Sequence, residues 1–283
     1  MPDFPIIDTH VHFWDRAEAA LEWFPEDTPI DRPYYPEDLT DDAGEIEIES
    51  LVFVEADVLP GEAQREAEWV SRLADRDERI KGIVAYAPVH LGADAAADLD
   101  ALSSLPLVKS IRRLIQNEPD PAFCITDAFI EGVKLLPDYG YSFEICIFHT
   151  QLPAAIQLVE ACPEVSFNLN HIGKPGIRDG MREPWWREIA DLASLPNINC
   201  KMSGVATEAD HEHWEPEQLL AYMGRALEVF GPSRVMFGGD WPVSTLAITY
   251  PRWVELVDEL LADLTEDEQR AIYCENARDF YRL

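Results

Sequence analysis

Residues 6–15 read Ile-Ile-Asp-Thr-His-Val-His-Phe-Trp-Asp, and the rest of the chain is interpreted from this stretch. Two apolar residues, Ile6 and Ile7, lead into His10 and His12, which are separated by one residue. On an extended strand both imidazoles point to the same face, where they can hold one metal ion or polarise one oxygen atom. A strand end with two solvated histidines is the alternative interpretation.

Seven more short apolar segments follow the first one, and helical spacing of apolar residues appears between them. Near-continuous apolar strands of this kind are typical of parallel sheets that are buried on both faces. Eight strand and helix units predict an α/β fold, a (β/α)8 TIM barrel. The predicted later strands are residues 50–56, 80–89, 107–115, 141–148, 165–170, 198–202 and 235–238.

Helices are predicted after most of these strands, and two extra helices are predicted at the C-terminus, at residues 251–261 and 266–280. Residues 16–43 are rich in Pro, Asp and aromatic residues without helical periodicity, which predicts an extended first loop. Thr265 and Glu268 have the spacing of a capping box. The predicted intervening helices are residues 62–76, 93–102, 127–136, 152–162, 185–195 and 216–230.

Length and composition set limits on the class of protein. A chain of 283 residues suits one barrel, so a single domain over residues 1–283 is predicted. The 54 acidic and 22 basic residues give a net charge of −32, a surface that repels nucleic acid and anionic membranes. No apolar run reaches the ~20 residues of a membrane span and no signal segment is seen, so a cytoplasmic protein is predicted.

Five widely spaced cysteines predict buried thiols, because they form neither a disulfide framework nor a Cys-x-x-Cys pair. Polar residues instead collect where the predicted strands end. In a (β/α)8 barrel these ends meet at one mouth, which is the usual place of the active site. The residues at or near these ends are His10, His12, Glu55, Arg112, Arg113, Glu144, His149, His171, Lys201, Ser203 and Asp240.

Four segments in the same order carry a family resemblance. They read Asp-Thr-His-Val-His-Phe-Trp-Asp at 8–15, Asn-His-Ile-Gly-Lys-Pro at 170–175, Cys-Lys-Met-Ser-Gly at 200–204 and Phe-Gly-Gly-Asp-Trp-Pro at 237–242. In this combination the chain resembles the amidohydrolase superfamily, and within it the sugar-lactonase branch of L-fuconolactonase, L-rhamnonolactonase and 2-pyrone-4,6-dicarboxylate lactonase. The resemblance implies an amidohydrolase-type barrel that hydrolyses a lactone.

The resemblance also implies roles for the residues at the mouth. Asp240 is expected to be the general base that takes a proton from water, and His10, His12 and His171 to polarise the lactone carbonyl. A single divalent metal, zinc or manganese, held by His10, His12 and Asp240 is one way to do so, and metal-independent action stays open. A binuclear site needs a lysine at the end of the fourth strand, where this chain has Arg112.

Seven residues are expected to contact substrate, and alternatives stay open for several of them. One of the two neighbouring arginines is expected to reach the substrate while the other packs outward. Lys201 has the alternative of pairing with Glu55 or Glu144, and the His211-x-His213 repeat is interpreted as a solvated surface. The expected substrate-binding residues are Arg112, Arg113, Glu55, Trp14, Trp241, Lys201 and His149.

The function expected from the sequence is therefore the opening of a sugar-derived lactone to its aldonic acid. L-fuconolactone and L-rhamnonolactone are the first substrates to test. A metal-dependent decarboxylase of the same superfamily is the alternative. The only partner expected is the small-molecule lactone, with no nucleic acid and no membrane, and assembly into a homo-oligomer stays open.

Overall fold

The computed structural model describes residue 2 and residues 4–21, 28–59 and 61–283. Eight parallel strands pair in sequence order, β1 through β8, as the (β/α)8 prediction requires. The sheet closes where Val11 bridges to Trp241, with Asp240 N–H donating to the His10 carbonyl at 2.7 Å. The strands are β1 (Ile6–Val11), β2 (Ile48–Val54), β3 (Ile80–Tyr86), β4 (Val108–Arg112), β5 (Ser142–Ile145), β6 (Phe167–Leu169), β7 (Ile198–Met202) and β8 (Val235–Phe237).

Helices lie between the strands and cover the outside of the barrel. Every residue of β1, β5, β6 and β8 is buried, because the helices cover one face and the barrel interior takes the other. The helices are α1 (Pro36–Ala43), α2 (Ala63–Ala74), α3 (Ala96–Leu102), α4 (Asp127–Val133), α5 (Leu152–Ala161), α6 (Trp185–Ala193), α7 (Pro216–Phe230), α8 (Tyr250–Leu261), α9 (Glu266–Arg270) and α10 (Asn276–Tyr281).

The first loop is more ordered than the sequence predicts, because its last part forms helix α1. Pro36 begins this helix, and Asp38 Oδ2 accepts a hydrogen bond from Tyr35 N–H at 2.9 Å. Tyr34 packs edge-on against both Trp14 and Trp241 at 5.3 Å, so aromatic contacts hold the loop against the barrel. The predicted loop aromatics Trp23 and Phe24, with Pro25, lie outside the described residues.

The two predicted C-terminal helices lie where they were expected, but the second one is not continuous. The predicted capping box is present, since Thr265 N–H donates to Glu268 Oε2 at 2.9 Å and Glu268 N–H donates to Thr265 Oγ1. The helix predicted over residues 266–280 is split, because a π-helical turn at Ala271–Glu275 separates α9 from α10. All five cysteines are buried thiols, and none of the described helices has the length and apolarity to cross a membrane.

A close approach between α4 and the turn after β3 gives a stability prediction. A Cβ atom on Gly132 would lie 2.0 Å from the carbonyl oxygen of Val89. We expect Gly132→Ala to lower the free energy of unfolding by about 2–3 kcal/mol, because a backbone carbonyl cannot move aside as a side chain does. Urea unfolding followed by circular dichroism measures this change.

The matched control is Gly224→Ala on α7, where a new Cβ would meet nothing nearer than 3.9 Å. Removing a glycine from a helix there should raise the free energy of unfolding by about 0.5–1 kcal/mol. Equal effects of the two substitutions would contradict the close contact between α4 and Val89.

Candidate active site

A cavity of about 400 Å³ opens at the C-terminal ends of the strands. Its floor is polar, since His12, Arg112, His171 and Asp240 all line it. Arg112 is the last residue of β4, and the other three lie in the segments that follow β1, β6 and β8. The barrel therefore brings together at one mouth side chains that lie far apart in sequence, as expected for this architecture.

Three imidazoles surround one carboxylate oxygen on this floor. Asp240 Oδ1 lies 3.6 Å from His10 Nε2, 3.5 Å from His12 Nε2 and 3.8 Å from His171 Nε2. All four side chains are almost fully buried. The four residues predicted to carry the chemistry are thus clustered around a single atom.

Backbone geometry supports this cluster. Asp240 and His171 have positive φ angles of 54° and 53°, a region that non-glycine residues occupy mainly under constraint from their surroundings. A Cβ atom on Gly204 would lie 2.3 Å from His171 Nδ1 and 2.8 Å from Asp240 Oδ2. Only a glycine there lets both side chains take these positions.

Asp8 connects the first strand to the loop after the last one. Its Oδ1 accepts hydrogen bonds from His10 N–H at 2.9 Å and Gly239 N–H at 2.8 Å, and its Oδ2 accepts one from the Tyr250 hydroxyl at 2.9 Å. Burial raises the pKa of Asp8 to about 6, although these hydrogen bonds oppose the change. Asp8 therefore holds His10 and the backbone before Asp240 in register.

The protonation states of His10, His171 and Asp240 leave lone pairs available in the site. Burial lowers the pKa of His10 well below its ordinary value and that of His171 to about 3, so both imidazoles are neutral near pH 7. Burial alone would raise the pKa of Asp240, but His171, His12 and Lys174 together hold it below its usual value. The site thus combines an ionised carboxylate with the neutral imidazoles of His10 and His171.

The orientation of His12 is set by the backbone. Its Nδ1 lies 2.8 Å from the carbonyl oxygen of Val54, which only accepts hydrogen bonds, so Nδ1 carries the proton. In the neutral ring the lone pair is then on Nε2, which faces Asp240 Oδ1. Neither ring nitrogen of His10 has a hydrogen-bond partner among the described residues. When imidazole lone pairs face a carboxylate oxygen, they repel each other unless a cation binds between them.

Arg112 is held in place by a series of hydrogen bonds and ion pairs between buried polar side chains. Its Nε donates to Glu55 Oε1 at 2.5 Å, and its Nη1 lies 3.4 Å from Asn170 Oδ1. Asn170 in turn donates to Glu144, whose two oxygens also bind Lys201, at 2.9 Å, and the Tyr281 hydroxyl. This series runs through the barrel interior from the mouth to the C-terminal helix.

Two residues expected to bind substrate belong to this buried series of hydrogen bonds and ion pairs and do not line the cavity. Glu55 and Lys201 are both fully buried, because each has an oppositely charged partner inside the barrel, Arg112 for Glu55 and Glu144 for Lys201. The alternative that paired Lys201 with a neighbouring acid describes its position. Of the two arginines, Arg112 lines the cavity, whereas Arg113 bonds Glu118 beside it.

Three more expected contacts lie away from the cavity. Trp14 donates from Nε1 to the Arg32 carbonyl at 2.7 Å, and Trp241 donates from Nε1 to Asp42 at 2.8 Å. Both indoles therefore help to hold the first loop. His149 is half-buried behind the wall, with its Nε2 next to Gly176, and does not line the cavity.

The structure adds residues that the sequence interpretation did not select. Lys174 lines the cavity and pairs with Glu208 at 3.4 Å. Burial opposes its charge, but Cys146, Glu208 and Asp240 together raise the pKa of Lys174, so it is a cation. His211 also lines the rim, although the acidic segment around it indicated only a solvated surface. Lys174 lies within the Asn-His-Ile-Gly-Lys-Pro segment at 170–175, and this position was the sequence signal that could have identified it.

Comparisons with known proteins agree with this geometry. The Amidohydrolase family model matches residues 7–283. The chain is 29% identical over 283 residues to L-fucono-1,5-lactonase of Burkholderia ambifaria, covering 98% of this chain and 95% of that one. It is 22% identical to L-rhamnono-gamma-lactonase of Scheffersomyces stipitis, covering 100% of each. A solved amidohydrolase of Burkholderia multivorans with bound zinc has a TM-score of 0.89 and 28% identity, covering 99% of this chain and 100% of that one.

A buried carboxylate beneath the site gives a pH prediction. Glu66 Oε1 accepts a hydrogen bond from Ala56 N–H at 2.9 Å, and burial together with the nearby Glu55 raises the pKa of Glu66 well above its usual value. The stability that comes from protonated Glu66 is present at low pH and is lost as the pH rises through the folded-state pKa. Glutamine accepts the same hydrogen bond without charge.

We therefore expect the melting temperature of Glu66→Gln, relative to the unsubstituted chain, to increase from about pH 5 to about pH 8. Thermal unfolding at several pH values measures the difference. Glu68→Gln, on the same helix but partly exposed, controls for the loss of one carboxylate. A difference that shrinks towards high pH would show that Glu66 is buried in its charged form.

Proposed function

This chain belongs to the amidohydrolase family, and on that premise we propose that it hydrolyses a sugar-derived lactone to the aldonic acid. L-fuconolactone and L-rhamnonolactone are the first substrates to test, in line with the named activities of two relatives. The observation that carries the proposal is the cluster in which three imidazoles surround Asp240 Oδ1 on the cavity floor. A lactone needs an activated water and a polarised carbonyl, and this cluster has the groups for both.

Asp240 is the general base of the proposed reaction. Its carboxylate is ionised and lies on the floor of a cavity large enough for a lactone and a water molecule. It takes the proton of the attacking water as the oxygen bonds to the acyl carbon. The same proton can then pass to the ring oxygen when the acyl–oxygen bond breaks, which leaves a hydroxyl and a carboxylic acid. The acid releases the second proton of the water to solvent and becomes the carboxylate.

The residues present fit a divalent cation held by His10, His12 and Asp240, whose ligand atoms all lie within 4.8 Å of one another. The unpartnered nitrogens of His10 and the Nε2 lone pair of His12 support this fit. Zinc or manganese bound there would supply a Lewis acid for the lactone carbonyl. His171 remains beside the cluster, with its Nδ1 3.0 Å from Ser203 Oγ.

Two cations of the chain also face the developing negative charge. The Arg112 guanidinium is fixed by Glu55, and Lys174 is fixed by Glu208, so neither must reorganise when the tetrahedral intermediate forms. Preorganised donors of this kind contribute most where water is excluded, and the floor of the cavity is nearly fully buried. We assign both residues to stabilisation of the oxyanion.

The rim of the cavity favours a neutral, hydroxylated substrate. Asp57 is acidic and disfavours additional carboxylates of the substrate next to it, whereas Glu208 is ion-paired with Lys174. Amide and hydroxyl groups beside them suit the hydroxyls of a sugar ring. The polar rim residues are Asp57, Gln116, Asn117, Thr207, Glu208 and His211.

Asp240→Asn tests the general base. The amide has nearly the same shape but takes up no proton at working pH, so we expect kcat for lactone hydrolysis to fall by about 10²–10⁴-fold. Acid release from L-fuconolactone, followed with a pH indicator, measures this rate. Asp210→Asn is the matched control, because among the described residues the Asp210 side chain hydrogen-bonds Glu212 N–H and His213 at a turn. Retained activity in Asp240→Asn, or release of CO₂ from aromatic acids by the unsubstituted chain, would overturn the proposal.

Metal binding is tested without reference to activity. After dialysis against Zn²⁺ and removal of free ions, we expect the purified chain to retain about one equivalent by elemental analysis. His12→Phe should lose most of it, whereas His213→Phe, at an exposed position, should keep it. Absence of zinc from the unsubstituted chain would assign carbonyl polarisation to the imidazoles and the two cations alone.

A further inference from the structure

A second and larger groove opens beside the active-site cavity. It has a volume of about 740 Å³ and lies between the loops that follow β2, β3 and β4. Asp57, Leu114 and Asn117 line both the groove and the active-site cavity. A ligand that occupies the cavity can therefore extend directly into the groove.

The groove carries two polar groups that have no hydrogen-bond partner among the residues that the structure describes. Tyr86, at the end of β3, is half-buried, yet its hydroxyl makes no hydrogen bond to any of the described residues. The Asn117 amide at the shared edge also makes none within the described ranges. Pro88 and the 51% exposed Leu91 add apolar surface next to them. Apolar walls with a few convergent polar groups are typical of a small-molecule site.

The charges of the groove favour a neutral occupant. Arg113 lies in it, but its guanidinium already bonds Glu118 and the Leu114 carbonyl, and it stacks on Phe123 at 5.1 Å. Asp57 and Asp98 are acidic residues of the lining. An anionic extension of the substrate meets no available cation among the described lining residues, whereas the hydroxyls of a sugar ring match the phenol, the amide and the carboxylates.

We propose that this groove binds a glycosyl residue attached to the lactone, so that the substrate class is a disaccharide-derived aldonolactone. The inference rests on the proposed lactone hydrolysis. Water adds to the acyl carbon, the ring acyl–oxygen bond breaks, and the glycosidic bond stays intact. The product is a glycosylated aldonic acid, and the reaction that supplies the substrate is the oxidation of a disaccharide at its reducing end.

The first experiment compares D-glucono-1,5-lactone with cellobiono-1,5-lactone and maltobiono-1,5-lactone, which carry one more glucosyl residue in two linkages. We expect kcat/KM to be at least about tenfold higher for one of the disaccharide lactones, because the second ring adds binding energy in the groove. L-fuconolactone is included as an independent substrate of the cavity. Values for both disaccharide lactones that are equal to or below that of gluconolactone would overturn the inference.

The second experiment removes one hydroxyl from the groove. Tyr86→Phe should lower the ratio of kcat/KM for the preferred disaccharide lactone to that for gluconolactone by about fivefold, the value of one lost hydrogen bond. Tyr139→Phe removes a hydroxyl that hydrogen-bonds Asp100 outside the groove and should leave the ratio unchanged. An unchanged ratio in Tyr86→Phe, or an equal fall in both variants, would count against the groove as the sugar site.

The outcomes separate this inference from the proposed function. Hydrolysis of L-fuconolactone or gluconolactone without a preference for disaccharide lactones would overturn the groove as a glycosyl-binding site and would still support lactone hydrolysis. No hydrolysis of any of these lactones would overturn both the groove assignment and the proposed function. A disaccharide preference that depends on Tyr86 supports both at once.

Discussion

The structure of the site depends on one constraint: three imidazole nitrogens face a single carboxylate oxygen, Asp240 Oδ1, at distances of 3.5–3.8 Å. Such a cluster is costly, because burial withdraws each polar group from water. The surrounding chain holds it in place with backbone bonds, with left-handed residues at His171 and Asp240 and with a glycine at position 204 that leaves room for both. Strain concentrated at one place in an otherwise regular barrel is typical of a functional site.

The barrel interior beneath this cluster is polar where an apolar filling would be more stable. Arg112, Glu55, Asn170, Glu144, Lys201 and Tyr281 form one continuous chain of hydrogen bonds and ion pairs. Removing one member of a buried charged pair leaves the other uncompensated, at a cost of about 3–5 kcal/mol. These bonds therefore connect Arg112 at the mouth to the last helix of the protein, through the hydroxyl of Tyr281.

Much of the fold and of the cluster around Asp240 could be predicted from the sequence, for physical reasons. Apolar runs and their spacing specify buried parallel strands, and strand ends place His10, His12, His171 and Asp240 at one mouth. The residues that line the cavity were less predictable, because neighbours on a strand alternate between faces and short sequences do not show which face a charged residue takes. Glu55 and Lys201 turned inward to partners from other strands, and Trp14 and Trp241 packed on the first loop.

The residues missed by the sequence interpretation have a common cause. Lys174 and Glu208 follow different strands, and their pairing at 3.4 Å exists only after the barrel has closed. Helix α1 was missed because its start depends on a proline and an aspartate, not on apolar periodicity. Local pattern thus predicts elements and strand ends, whereas tertiary pairing decides which polar groups reach the cavity.

The most direct test of the account is a crystal structure of the chain soaked with L-fuconate, the product of the proposed reaction. We expect the product carboxylate to lie on the floor of the cavity, next to the three imidazoles around Asp240 and within hydrogen-bond reach of the Lys174 ammonium, with the sugar hydroxyls towards the polar rim. A product carboxylate bound away from Asp240, with the histidine cluster making no contact to it, would contradict the assignment of this cluster as the catalytic centre.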